Sequence, residues 1–241
     1  MTGALTPWLP FKAGWNMRMS KAKRTAVVVV LGSVACAFVA GCPPATGKPS
    51  AASRPAAPAS APVSATPEAA AKACADFLSS PTAGNYDKAR TLLMASSTFD
   101  PYADDLSDLQ ELVEANSPEA MKKFARMQPN YSLSPRAHLL ASMAAKKAGQ
   151  EAAARSETEL YLRCLGCLLS TGDGTAQRPF KVMRVADEYD VLRHLKKPAG
   201  RQALMHREGR SYDVFVLPDG KEMWFDVTEI FQTLTRQFKG G

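Results

Sequence analysis

The chain has 241 residues, with 30 Lys and Arg against 23 Asp and Glu, a formal net charge of +7 at neutral pH, and 46% hydrophobic residues. That length suffices for one globular domain with targeting and linker segments, and the composition is neither collagen-like nor wholly disordered. The excess charge is concentrated at the start: residues 1–41 hold five basic side chains and no acid, so the rest carries 25 basic against 23 acidic residues, net +2. Lys146-Lys147 and Lys196-Lys197 are isolated pairs rather than a footprint for nucleic acid, and no nucleic-acid partner is expected.

Lys21, Lys23 and Arg24 precede an uncharged run of 17 residues, Thr25 to Gly41, which is short for a membrane span and suits the h-region of an export signal. Initiation at Met17 or Met19 instead of Met1 preserves this signal. Val39, Ala40 and Gly41 stand before Cys42, and this resembles the bacterial lipobox. The resemblance implies a signal peptide over 1–41, cleavage before Cys42, and a diacylglycerol with palmitate-type acyl chains linked to that thiol as a thioether. The partners so implied are a membrane, through the lipid anchor, and a protein of the bacterial cell envelope. Pro43 stands where an Asp would favour inner-membrane retention, so the expected address is the outer membrane, facing the periplasm.

Residues 42–66 form the lipidated Cys and a tether. From Pro43 to Thr66, Ala, Pro and Ser supply 18 of 24 residues, too little apolar area to offset the entropy of ordering. Extended at about 3.1 Å per residue, the tether reaches on the order of 70 Å.

The expected fold class is α+β: an Ala-rich, tetratricopeptide-like helical region over 67–169, then a small antiparallel sheet with one or two helices over 170–241, packed on the helices as one domain. Apolar spacings of three and four recur at Leu106, Leu109, Leu112 and Val113, and at Leu139, Leu140, Met143 and Ala144. Pro118 and Ser134-Pro135 mark helix starts. "NYDKARTLL", "SPEAMKKFA" and "GQEAAARSE" begin 32 residues apart, with Ala89, Ala120 and Ala152 as matching small residues, near the period of helix-hairpin repeats. "STGDGT" then marks a loop, "FKVMRV" alternates as a strand, and "DEYDVLRHL" starts a helix with Tyr189, Leu192 and Leu195 on one face. "RQALMHRE" suits a strand, "SYDVFVL" and "KEMWFDV" flank a Pro218-Asp219-Gly220 turn as a hairpin, and "TEIFQTLTRQF" closes the chain as a helix with Ile230, Phe231 and Leu234 inward.

The order "STGDGT", "VMRVADEYDVLRHL", "YDVFVL", "MWFDV" behind an Ala-rich helical half resembles the bacterial family called domain of unknown function 4919, over about Pro67 to Phe231. The resemblance implies an exported envelope protein with a helical lead-in and an α+β end, and no reaction or ligand.

No metal or cofactor motif is present: His138, His194 and His206 lie far apart, there is no HExxH, nucleophile elbow, GxGxxG or Walker pattern, and no cofactor is expected. Two function classes remain. The first is a protein-interaction or scaffold module, with Gly172, Asp173, Gly174, Asp187, Glu188, Tyr189 and Tyr212 as loop or interaction residues and Trp224 as a further aromatic anchor. The alternative is a periplasmic hydrolase using clustered carboxylates, Asp173 with Glu188. Cys74, Cys164 and Cys167 are left for a structural disulfide in an oxidising compartment, for a CxxC redox pair, or for buried thiols.

Overall fold

A computed structural model describes residues 65–239. The expected lipobox residues Val39, Ala40, Gly41 and Cys42, and most of the tether, lie outside that range.

Six helices come first: α1 (Pro67–Ser79), α2 (Ala83–Ala95), α3 (Asp105–Glu114), α4 (Ala120–Arg126), α5 (Pro135–Lys147) and α6 (Glu151–Ser170). Their starts follow from hydroxyl caps. Thr66, Thr82 and Ser134 each accept a hydrogen bond from the amide three residues on, at 3.2, 3.2 and 3.3 Å, and Pro67 and Pro135 occupy first-turn positions whose amides would lack partners. The α5–α6 hairpin packs on α3 and α4 through α5 and on α2 through α6, so it stands between the α1–α2 pair and the α3–α4 pair. Ala89 and Ala120 are buried as the repeat pattern requires, whereas Ala152 is exposed and Ala154 fills the contact instead. Met143 is exposed while its neighbours Leu140 and Ala144 face inward.

The second part adds β1 (Phe180–Lys181), α7 (Val185–His194), β2 (Arg201–Arg207), β3 (Arg210–Val216), β4 (Glu222–Asp226) and α8 (Thr228–Lys239). Helices first and a sheet later make this an α+β fold. The sheet order is β1-β4-β3-β2, and it is mixed rather than wholly antiparallel, because β1 runs parallel to β4 through Phe180 opposite Phe225. The other two pairings are antiparallel: β3–β4 is the hairpin that the sequence suggests, and β2, expected as a strand, pairs with β3. "FKVMRV" yields only two strand residues because the Asp187 carboxylate takes both following free amides: Met183 and Arg184 each donate to its Oδ2 at 3.0 Å. That contact ends the strand and starts α7 two residues ahead of the acids expected to open it. Leu195 falls at the end of α7 and is exposed.

One apolar core joins the two parts. Phe77, Leu93 and Leu168 from the helices pack with Phe180, Phe215, Phe225 and Ile230 from the sheet and α8. A second core, built on Leu109, Val113, Phe124, Tyr131 and Leu140, holds α3, α4 and α5 together. Helix α8 is locked to the end of α2: buried Arg90 donates to Glu229 at 2.7 Å, and Arg236 and Thr233 both donate to the Met94 carbonyl, at 2.6 and 3.1 Å. Those bonds satisfy a helix-terminal carbonyl that has no partner within its own helix.

Candidate functional site

The sequence offers Asp173 and Glu188 as a carboxylate pair; the structure separates them. Asp173 is exposed at the tip of the Gly-Asp-Gly loop, where its Oδ1 accepts from the Thr175 amide at 3.0 Å and the Thr175 hydroxyl at 2.7 Å, and Arg178 lies 3.6 Å from its other oxygen. These bonds hold its carboxyl below the usual aspartate range. The loop itself is a structural turn. The amides of Asp173 and Gly174 both donate to the Arg178 carbonyl, and the Gly174 carbonyl accepts from Trp224 at 2.9 Å, docking the turn on β4. A side chain at Gly172 would meet the Pro179 carbonyl oxygen at 2.4 Å, and Gly174 has φ +79°, so both glycines are required by geometry rather than by a ligand.

Glu188 finds a different carboxylate. It projects from α7 with no exposed surface and lies within hydrogen-bond reach of Asp213 on β3; the Gln202 side-chain amide, from β2, donates to Asp213 at 2.9 Å and to Glu188 at 3.3 Å. Burial first, and then the neighbouring Asp213 charge, push the Glu188 carboxyl up to about 10. It is therefore protonated near neutral pH and is able to donate to Asp213. Tyr102 and Tyr189 flank the pair; burial and the two carboxyl groups raise both phenols.

Arg184, Asp187 and Asp190, at and after the start of α7, are buried charged groups as well. Arg184 sits between two rings, 4.0 Å from the centroid of Tyr131 and 4.6 Å from that of Phe99, and donates to the carbonyls of Asp100 and Asn130. Asp187, at the helix start, is pushed by burial to about 6 despite its two backbone donors. Asp190 Oδ1 accepts from Arg136 Nε at 2.9 Å and from Arg193 at 2.8 Å, tying α7 to α5. A sequence signal for this burial exists: Asp187 and Val191, and Glu188 and Leu192, are spaced i to i+4, so acids and apolar residues share the same helical rows. Asp213 and Arg184 carry no such signal, since their partners lie far along the chain.

What this arrangement does chemically is limited by access. A protonated carboxyl beside a second carboxyl group resembles the pairs that enzymes use for acid–base work, but Glu188 has no surface at which a substrate or water is reached. A cleft of about 130 Å³ beside Val113, Pro118, Ala144 and Lys147 lies elsewhere, and a smaller recess touches Asn130, Arg184 and Asp187. Each falls below the ~300 Å³ usual for a metabolite site. Among the described residues, no group of three or more His, Cys, Asp or Glu side chains is placed to hold a metal ion.

The expected aromatic anchors pack inward. Tyr189 stacks edge-on against Phe215 and Tyr212 against Trp224, each at 5.6 Å. Of the three readings offered for Cys74, Cys164 and Cys167, the structure has them as free thiols. Cys164 points into the core and donates to the Ser132 carbonyl at 3.8 Å, whereas Cys167 is half-buried one turn further along α6. Burial pushes Cys74 up to about 11 and raises the other two, the opposite of the low-pKa thiol that redox catalysis uses.

What the fold does leave open is an edge. β2 ends the sheet, all seven of its residues are exposed, and Leu204 and Met205 are 47% and 41% accessible. No protein-family model, no curated protein and no solved structure matches this chain.

Proposed function

We propose that this chain is a lipid-tethered interaction module of the bacterial cell envelope, held at the outer membrane through Cys42 and presenting its folded part to a periplasmic protein partner. The observation that carries this reading is the exposed β2 edge with Leu204 and Met205 outward, while of the acids that a hydrolase would need Asp187 caps a helix, Asp173 closes a loop and Glu188 is fully buried. The Val39-Ala40-Gly41-Cys42 sequence supports the anchor, and the Ala-, Pro- and Ser-rich tether supplies reach. The resemblance to domain of unknown function 4919 rests on motif order and is consistent with an exported protein.

Crosslinking of the tagged full-length chain in native envelopes tests the module. A discrete partner is expected with the wild type and is lost in Leu204→Ser/Met205→Ser, with circular dichroism unchanged. Failure to recover any partner with the wild type would remove the reading. Fractionation tests the anchor separately: Cys42→Ser is expected to leave the membrane fraction, and retention there would remove the lipid assignment.

A further inference from the structure

An edge strand presents unpaired backbone amides and carbonyls, and proteins normally shorten, cover or bend such edges. Here β2 runs seven residues, on the order of 20 Å at about 3.3 Å per residue, and remains exposed throughout. Its inner side is firmly held: all seven residues pair with β3, from Arg201 opposite Val216 to Arg207 opposite Arg210, and Gln202 is bonded to the Glu188–Asp213 pair behind it. The edge is thus a rigid template.

Its charge selects what is able to pair with it. Residues 193–210 contain six Lys and Arg and one acid, Glu208, and β2 itself has Arg201 and Arg207 near its two ends with no acidic residue. Arg207 is shared with Glu208 in the following turn at 3.3 Å; among the described residues no carboxylate lies within ion-pair distance of Arg201. Leu204 and Met205 lie between the arginines and, being adjacent, project to opposite faces.

Two occupants are disfavoured by chemistry. A second copy pairing antiparallel about Leu204 would set Arg201 opposite Arg207 twice, and like charges directly opposed are destabilising. The tether of this chain, Pro43 to Thr66, has six prolines that lack an amide donor, and it carries Lys48 and Arg54 without an acid.

We infer that the β2 edge docks an acidic peptide segment in extended conformation, which adds as a fifth strand with its acids on the face of Arg201, Met205 and Arg207 and its apolar residues on the face of Leu204. This rests on the interaction-module reading and names its surface and partner chemistry. Main-chain hydrogen bonds provide the affinity in this mode, and side-chain charge and apolar contacts provide the selection.

The probe is an acetylated, amidated nonapeptide of alternating glutamate and valine, titrated by fluorescence anisotropy against the purified full-length chain in detergent. Saturable binding is expected, weakened about tenfold or more by Arg201→Glu/Arg207→Glu and by raised salt. Two further peptides, N-methylated either on every valine or on every glutamate, separate backbone pairing from charge: one set of amides faces the edge, so one peptide loses binding and the other keeps it. Absence of binding, equal binding of the lysine–valine analogue, or equal binding of both methylated peptides overturns the proposal. A photo-crosslinking residue placed at Leu204 or at exposed Leu162 on α6, in native envelopes, distinguishes the two levels of the argument. A partner captured only from Leu162 leaves the module reading standing and removes the β2 site. A second copy captured at Leu204 also overturns it.

Discussion

The Gln202 side-chain amide of β2 donates both to Glu188 on α7, at 3.3 Å, and to Asp213 on β3, at 2.9 Å. The helix, the central hairpin and the edge strand are therefore joined by one polar contact that is buried at Glu188 and open to solvent at Gln202. Such contacts are costly when half-satisfied and specific when complete.

The Glu188 proton has a stability consequence. Glu188 is raised from 4.5 in the unfolded chain to about 10 in the fold, so its contribution is fully present below about pH 4.5 and is lost as pH rises through about 10. Glu188→Gln keeps a donor for Asp213 and has no proton to lose. Urea unfolding at pH 5, 7 and 9 should show the wild type weakening relative to this variant as pH rises. Parallel curves for the two proteins would refute the raised Glu188 carboxyl.

Asp187 adds a shallower dependence of the same sign. Its folded value of about 6 lies above the unfolded 3.8, so stability falls between these two values as pH rises. Asp187→Asn should flatten that window, while its weaker acceptance from the Met183 and Arg184 amides costs about 1 kcal/mol of stability at pH 7. The comparison of unfolding free energies at pH 4 and pH 7 reads both effects.

Arg184 is the central cation of the loop side. Replacing it by Met leaves the Asp100 and Asn130 carbonyls without their donor and removes the stacking on Tyr131 and Phe99, for a loss of about 2–4 kcal/mol. Arg184→Lys should recover less than half, because an ammonium has no planar fork to lie between rings. Equal stability of the Lys variant and wild type in chemical denaturation would contradict the stacked arrangement.

Two glycines should respond in opposite directions. A Cβ at Gly200 would meet the Val216 carbonyl oxygen at 1.7 Å, so Gly200→Ala must displace the start of β2. Gly166 lies exposed within α6 with nothing within 4 Å, so Gly166→Ala is expected to stabilise the chain by about 0.5–1 kcal/mol. Thermal melts of the two variants give the sign of each effect, and destabilisation by Gly166→Ala would mean that α6 is not a regular helix there.

The cysteines make a kinetic prediction. With iodoacetamide under native conditions, peptide mapping should find Cys167 modified first and Cys74 and Cys164 modified only on unfolding. A Cys164–Cys167 disulfide would leave both unmodified without reductant.

Much of the architecture is written in local patterns. Thr66, Thr82 and the Ser134-Pro135 pair start helices through bonds made within three residues, and the Pro218-Asp219-Gly220 turn brings two alternating runs together as a hairpin. The order of helices before sheet follows from such short-range chemistry. The parallel β1–β4 pairing and the shortness of β1 do not, because both depend on Asp187 capturing amides that an isolated strand would have offered to a neighbour.

The candidate chemistry divides in the same way. The turn at Gly172, Asp173 and Gly174 and the place of Asp187 at a helix start are legible in neighbouring residues alone. Only the tertiary structure decided that Glu188 belongs with Asp213 rather than Asp173, that Arg184 lies between Phe99 and Tyr131, and that β2 is the uncovered end of the sheet. The physical reason is distance along the chain. Turns and caps are settled by neighbours a few residues away, whereas desolvation and strand order depend on surfaces that meet only after the core has closed.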